Sequence, residues 1–155
     1  MIAKETINYA TKLKKSSAFS VFLMLSTALP VEYYLSQFDI ITAIGGSFLY
    51  YIIIASTVIC YHNVSNILEN LSNMKYKNEE VLTNIWNQTA DIFSYNIIVF
   101  ALCVATLCIA NMSTTFNIIF MCLVIAYTCN TYFAIELHIR LYFEWMSASI
   151  GKSRG

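Results

Sequence analysis

Four long apolar segments constrain this chain more than any other feature of its sequence. Each holds about the 20 residues that a helix needs to cross roughly 30 Å of hydrocarbon. The segments are residues 17–35, 40–61, 92–110 and 115–137. Backbone groups inside a bilayer must bond within the protein, and no period-two alternation suggests a membrane barrel. The sequence therefore predicts an all-α, polytopic membrane protein with four transmembrane helices, in which residues 1–155 form one membrane domain.

Composition and motifs argue against several other classes of protein. Hydrophobic residues make up 58% of the chain and charged residues 12%, against about 45–50% and about 25% in soluble domains. A net charge of zero provides no basic field, so we expect no direct binding of nucleic acid. No Ser/His/Asp constellation, phosphate loop or metal-ligand cluster is visible, so we expect no enzyme activity, cofactor or metal site. The five cysteines lie in apolar runs without a CxxC motif, which favours a packing role.

The basic residues predict the orientation in the membrane. All nine fall in residues 1–16, 62–91 or 138–155, and the short connections after the first and third spans contain none. By the positive-inside rule, both termini and the central connection are cytosolic. The first span resembles a signal peptide, but Pro30 follows its small-residue site, so we expect a retained anchor. Many Ile, Asn, Tyr and Lys residues suggest an AT-rich gene of bacterial or mobile-element origin. We expect a multi-pass protein of the bacterial inner (plasma) membrane.

Residues 62–91 have the pattern of two helical arms. Apolar residues recur at helical spacing in both arms, opposite a polar face. Each arm is about 20 Å long, so helices 2 and 3 are predicted to extend beyond the membrane as a cytosolic helical hairpin. Its apolar stripes pack either on each other or on a protein partner. The partner-binding hypothesis rests on Ile67, Leu71, Ile85 and Trp86.

The elbow between the arms, SNMKYKNEE, contains the signal for a new helix. Asn78 is placed to cap the second arm, and Glu79 and Glu80 then lie in its first turn, where the helix dipole favours acids. Lys75 and Lys77 mark the cytosolic side.

The terminal segments add two more amphipathic stretches. Ile7, Ala10 and Leu13 share one face before the first span. After the fourth, Glu136, Arg140 and Glu144 are spaced to form ion pairs along one helix face. This last helix is expected either to lean on the hairpin or to lie on the membrane surface.

Polar residues inside the spans allow two interpretations. They form hydrogen bonds between helices, or they line a polar path through an oligomer. No ring of charged residues lies at mid-membrane, so no selectivity filter is evident. The candidates are Asn96, Thr106, Asn117, Thr128 and Thr131. The two histidines, His62 and His138, favour an interfacial role over paired haem ligation.

Three classes of function fit this outline. The first is a subunit that forms a homo-oligomer and couples the membrane to a cytosolic partner protein. The second is a small ion channel or depolarising effector built from such an oligomer. The third is an immunity protein against a pore-forming toxin.

The layout of short outer loops around a polar cytosolic connection resembles small four-span membrane proteins of bacterial phage defence. The stretches FDIITAIGGSFLYYIIIASTVICYHN and DIFSYNIIVFALCVATLCIANMS are similar in hydropathy and small-residue placement to the phage-exclusion protein RexB and to the membrane subunit of the Kiwa system. The resemblance covers about residues 17–145 and contains no residue-level motif. It implies a homo-oligomeric membrane sensor bound to a cytosolic effector, and favours the first class.

Overall fold

Four long helices make up the fold in the computed structural model, which describes residues 2–74, 78–109 and 114–152. The prediction of an all-α chain is confirmed. Each helix is long and apolar enough to cross a membrane. They are α1 (Lys4–Leu35), α2 (Ile40–Asn73), α3 (Glu79–Ile109) and α4 (Thr114–Lys152).

The helices form an antiparallel bundle that closes on itself. Each helix packs on the next one in the chain, and α4 packs back on α1. The starts of α1 and α3 and the ends of α2 and α4 therefore lie at one end of the bundle, which we call the basal end. The ends of α1 and α3 and the starts of α2 and α4 lie at the other. As a result, all four helices run past the predicted spans on the same side.

Local signals place the helix starts. Asp39 caps α2, because its carboxylate accepts hydrogen bonds from the backbone N–H of Thr42 at 3.0 Å and from its hydroxyl at 2.7 Å. These bonds lower the pKa of Asp39, with the backbone bond as the larger cause. Asn78 caps α3 as predicted, since its side-chain oxygen accepts a bond from the backbone N–H of Glu80 at 3.1 Å. Residues 75–77, with both elbow lysines, lie outside the described residues.

Buried apolar side chains form two cores, one above the other. The membrane core lies within the predicted spans and includes Met24, Leu123 and Tyr127. The basal core lies mainly below them and takes residues from all four helices. Its buried members are Ile2, Ala10, Leu13, Cys60, Val64, Ile67, Leu71, Leu82, Ile85, Ile92, Ala134, Leu137 and Leu141. The extension of helices 2 and 3 is thus confirmed, and the C-terminal part of α4 leans on it.

The outer surface differs between the part of the bundle inside the predicted spans, which we call the membrane half, and the part below them, which we call the basal half. Large hydrophobic side chains are exposed over most of the predicted spans, as at Leu29 and Ile41, where lipid would cover them. In the described part of residues 62–91, every exposed side chain is polar. This contrast fits a multi-pass membrane protein whose basal half stands in water.

The apolar stripe predicted to bind a partner faces the interior of the chain. Ile67 and Leu71 are 0% and 1% exposed, and Ile85 is 1% exposed. The fourth residue, Trp86, is half-buried against the same core. Because α1 and α4 supply the opposite wall, the stripe is covered within one chain and offers no free surface for docking.

Candidate functional site

Buried polar contacts link the helices through the membrane half. Near the outer end, the hydroxyls of Thr27 and Tyr50 lie 2.6 Å apart, and Tyr50 also donates to the carbonyl oxygen of Met24 at 2.9 Å. Deeper, the hydroxyl of Thr57 on α2 contacts that of Tyr127 on α4. These pairs are neutral, and each joins two helices, so they hold the bundle together where lipid removes the hydrophobic drive for helix association.

The buried polar residues nearest the basal half include hydrogen-bonding atoms that have no partner among the described residues. The amide of Asn130 donates to the hydroxyl of Ser20 at 2.9 Å, and both residues are buried. The carbonyl oxygen of Asn130 and the hydroxyl of Ser17 are buried without a partner among the described residues. A buried acceptor and a buried hydroxyl of this kind suit a bound water molecule.

The five predicted polar candidates have different surroundings. Asn96 is buried, and its amide donates to the carbonyl oxygen of Ile92 in its own helix at 2.9 Å. Thr131 has a buried hydroxyl without a described partner, and Asn117 is half-exposed near the start of α4. The side chain of Thr106 lies outside the described residues.

Thr128 was predicted either to link helices or to line a path through an oligomer, and among the described residues its hydroxyl bonds only within its own helix. It is exposed on the outer face of α4, and its hydroxyl donates to the carbonyl oxygen of Val124 at 2.8 Å. A threonine in a helix satisfies its hydroxyl in this way without any neighbouring helix. The residues that do link helices, such as Ser20, Thr57 and Tyr127, follow the buried positions of each helix rather than polarity alone.

One acidic residue in the first span was not singled out from the sequence. Glu32 is half-buried near the outer end of α1 and accepts a hydrogen bond from the hydroxyl of Ser47 on α2 at 3.0 Å. Its other carboxylate oxygen is buried without a partner among the described residues. An acid within an apolar run is the signal that would have identified it.

At the level where α3 leaves the predicted span, aromatic and polar groups meet. The rings of Trp86 and His138 stack with centroids 4.8 Å apart and planes 17° apart. The hydroxyl of Thr89 lies 2.8 Å from Nδ1 of His138 and 2.7 Å from the carbonyl oxygen of Trp86. Burial lowers the pKa of His138, against a smaller opposing effect of its hydrogen bond to the Trp86 backbone. The second histidine, His62, is exposed on α2.

The two chain ends are joined at the base of the bundle. Glu144 on α4 is buried and accepts a hydrogen bond from the backbone N–H of Ala3 at 2.7 Å. This carboxylate therefore satisfies an otherwise open donor at the start of α1. Arg140 pairs with Glu5 at 2.5 Å and with Glu136 at 3.7 Å. The predicted ion pair between Glu136 and Arg140 is confirmed, whereas Glu144 turns inward towards α1.

One face of α4 interrupts the polar surface of the basal half. Its apolar side chains recur at helical spacing beyond the fourth predicted span, and we call them the α4 stripe. The α4 stripe consists of Ile139, Tyr142, Phe143 and Ile150, which are 46%, 38%, 61% and 50% exposed. It is the part of the basal half best suited to contact another protein.

Comparison with known proteins adds no assignment: no family model, curated protein or solved structure matches this chain. Among the described residues, no group of three or more His, Cys, Asp and Glu side chains is close enough to hold a metal ion.

Proposed function

We propose that this chain is a non-enzymatic subunit of the bacterial inner membrane that forms a homo-oligomer and couples the bilayer to a cytosolic protein partner. In this role it serves as a sensor or anchor in anti-phage defence, as the architectural resemblance implies. The observation that supports the coupling role is the α4 stripe on an otherwise polar basal half. Both chain termini are cytosolic in this proposal.

The position of the α4 stripe favours a protein partner over lipid. The fourth span is predicted to end at residue 137. With a rise of 1.5 Å per residue, Phe143 lies about 9 Å and Ile150 about 20 Å beyond that point. The headgroup layer adds only about 5–8 Å on each side of the hydrocarbon. Both side chains would therefore project past the headgroups into water if no protein covered them.

Charged residues beside the α4 stripe would provide specificity. The Arg140 guanidinium, 29% exposed, stands between Glu5 and Glu136. An apolar centre with a charged rim is the usual anatomy of a protein interface. The buried stripe of α2 and α3 has the opposite role: it gives the basal half a fixed shape on which the α4 stripe is presented.

The interior of a single bundle gives less support to the channel alternative. Met24, Leu123 and Tyr127 fill the membrane core and are at most 1% exposed. A conducting path would therefore have to form between copies of the chain.

Site-specific photo-crosslinking in living bacteria tests the coupling role. A photoreactive amino acid replaces Phe143 in one variant and Asn84, on the exposed polar face of α3, in the matched control. We expect a cytosolic protein, identified by mass spectrometry, to be captured from position 143 and not from position 84. Capture of lipid alone from position 143 would contradict the proposal, and capture of second copies alone would reduce it to an oligomer interface.

Phage challenge tests the biological context. The gene and its chromosomal neighbours are introduced into a susceptible bacterium, and plaque counts are compared with those of Phe143→Ser and Asn84→Ser variants. We expect the wild type and the Asn84 variant to reduce plaque formation and the Phe143 variant to lose protection. Equal protection by the Phe143 variant would show that the α4 stripe is not the coupling surface, and absence of protection in all three would refute the defence role.

A further inference from the structure

A groove between α1 and α4 lies on the lipid-facing side of the described bundle. It encloses about 570 Å³ and is open along its length. Its walls are apolar, with Phe19 and Leu23 on α1 and Ile125 and Phe133 on α4. Phe19 and Ile125 are 58% and 61% exposed. The surface is therefore shaped to hold an elongated apolar ligand.

The basal end of this groove is positively charged. Lys12 and Lys15 belong to its lining, and both are exposed. Lys12 Nζ also lies 4.8 Å from the ring centroid of Tyr9. Among the residues that the structure describes, no acidic side chain lines the groove. The two ammonium groups would therefore attract an anion to one end of this apolar groove.

The spacing along α1 matches one leaflet of a bilayer. The first span is predicted to begin at residue 17, so Lys12 and Lys15 lie about 8 Å and about 3 Å outside the hydrocarbon edge, at the level of lipid phosphates. Leu23 lies about 9 Å inside that edge, within the roughly 15 Å depth of one leaflet. Charge, depth and shape therefore point to the same ligand.

We propose that this groove binds one anionic phospholipid of the cytosolic leaflet. Its phosphate lies between Lys12 and Lys15, and one acyl chain lies along Phe19 and Leu23 against α4. Binding of this kind does not depend on the coupling role proposed above. It differs from general attraction to an anionic membrane because it needs two particular lysines and an open groove, whereas Lys14, outside the lining, should not contribute.

Native mass spectrometry of the detergent-purified protein tests the headgroup site, with added phosphatidylglycerol or phosphatidylcholine. The wild type should retain phosphatidylglycerol in preference to phosphatidylcholine. A lysine near an anionic surface strengthens binding by about fivefold, so Lys12→Gln with Lys15→Gln should weaken phosphatidylglycerol binding by about 25-fold. The matched control Lys14→Gln should bind like the wild type. Equal binding by the double variant and the control, or equal retention of both lipids by the wild type, would overturn the proposal.

A second pair of variants tests the acyl-chain groove with the lysines intact. Cys129 lines the groove and is exposed, whereas its neighbour Thr128 is exposed outside the lining. Cys129→Trp should block the groove and reduce phosphatidylglycerol retention at least about tenfold, since one bulky side chain displaces several buried methylene groups of the lipid. Thr128→Trp should leave retention unchanged. Thermal unfolding of both variants establishes that they are folded, and retention by folded Cys129→Trp at the wild-type level would rule out the groove.

Discussion

Substitution of Ile67 by alanine tests whether the hairpin stripe is an internal core. Ile67 is 0% exposed and belongs to the basal core, which residues from all four helices complete. The change removes three carbon atoms, worth about 2.4 kcal/mol in transfer free energy. The cavity left behind raises the total to about 3–4 kcal/mol, within the range of about 2–5 kcal/mol for such changes. The expected loss is a large fraction of the stability of a typical domain.

The assay is thermal unfolding of purified protein in mild detergent, followed by circular dichroism and by the fluorescence of Trp86 and Trp145, which both pack against this core. For a chain of this size, a loss of 3 kcal/mol lowers the Tm by about 6–12 °C. The control is Asn66→Ala, one residue away on the exposed face of α2, where we expect a change within about 0.5 kcal/mol. If Ile67→Ala and Asn66→Ala unfold at the same temperature, the stripe does not form a core and the docking hypothesis for Ile67 regains its basis.

Three further predictions concern the polar contacts. Ser20→Ala leaves the Asn130 amide without its acceptor, and should cost about 1 kcal/mol in the same unfolding assay. Glu144→Ala removes a charged acceptor from the backbone at the start of α1, so hydrogen exchange in the first turn of α1 should speed up about tenfold or more. Because burial lowers the pKa of His138, protons bind the unfolded chain first. The free energy of unfolding should therefore be highest above about pH 6.5 and should fall as the pH drops below that value. His138→Gln should weaken this pH dependence of the Tm.

Features set by local chemistry could be predicted from the sequence. The cap at Asn78 predicted the start of α3, because a short polar side chain before two acids satisfies the open N–H groups of a helix in any context. The four apolar segments predicted four helices for a similar reason, since length and hydropathy depend on the segment alone. The amphipathic faces of the basal half were also predicted, down to Ala10 and Leu13.

The surfaces that pack against these amphipathic faces could not be predicted from the sequence. A period of 3.6 residues shows that Ile67 and Ile85 each lie on the apolar face of their own helix. It does not show whether the same chain or another protein covers that face. The answer depends on α1 and α4. Two positions stayed open for the C-terminal part of α4, and none was predicted for the N-terminal part of α1. Thr128 illustrates the same limit for polar residues, because a hydroxyl that bonds its own helix has the same sequence signal as one that links two helices.

The forces that stabilise the basal half differ from those that stabilise the membrane half, and this difference bears on the proposed sensing role. In the basal half, apolar side chains leave water, which contributes about 25 cal/mol for each Å² buried. In the membrane half, lipid tails are as apolar as leucine, so association depends on packing and on neutral pairs such as Ser20–Asn130, each worth about 0.6–1.7 kcal/mol. A change in the bilayer would therefore rearrange the membrane half before it disrupted the basal half. Because α4 continues as one helix from Thr114 to Lys152, a shift of its membrane part would carry the α4 stripe with it and would reach the proposed partner as a rigid displacement.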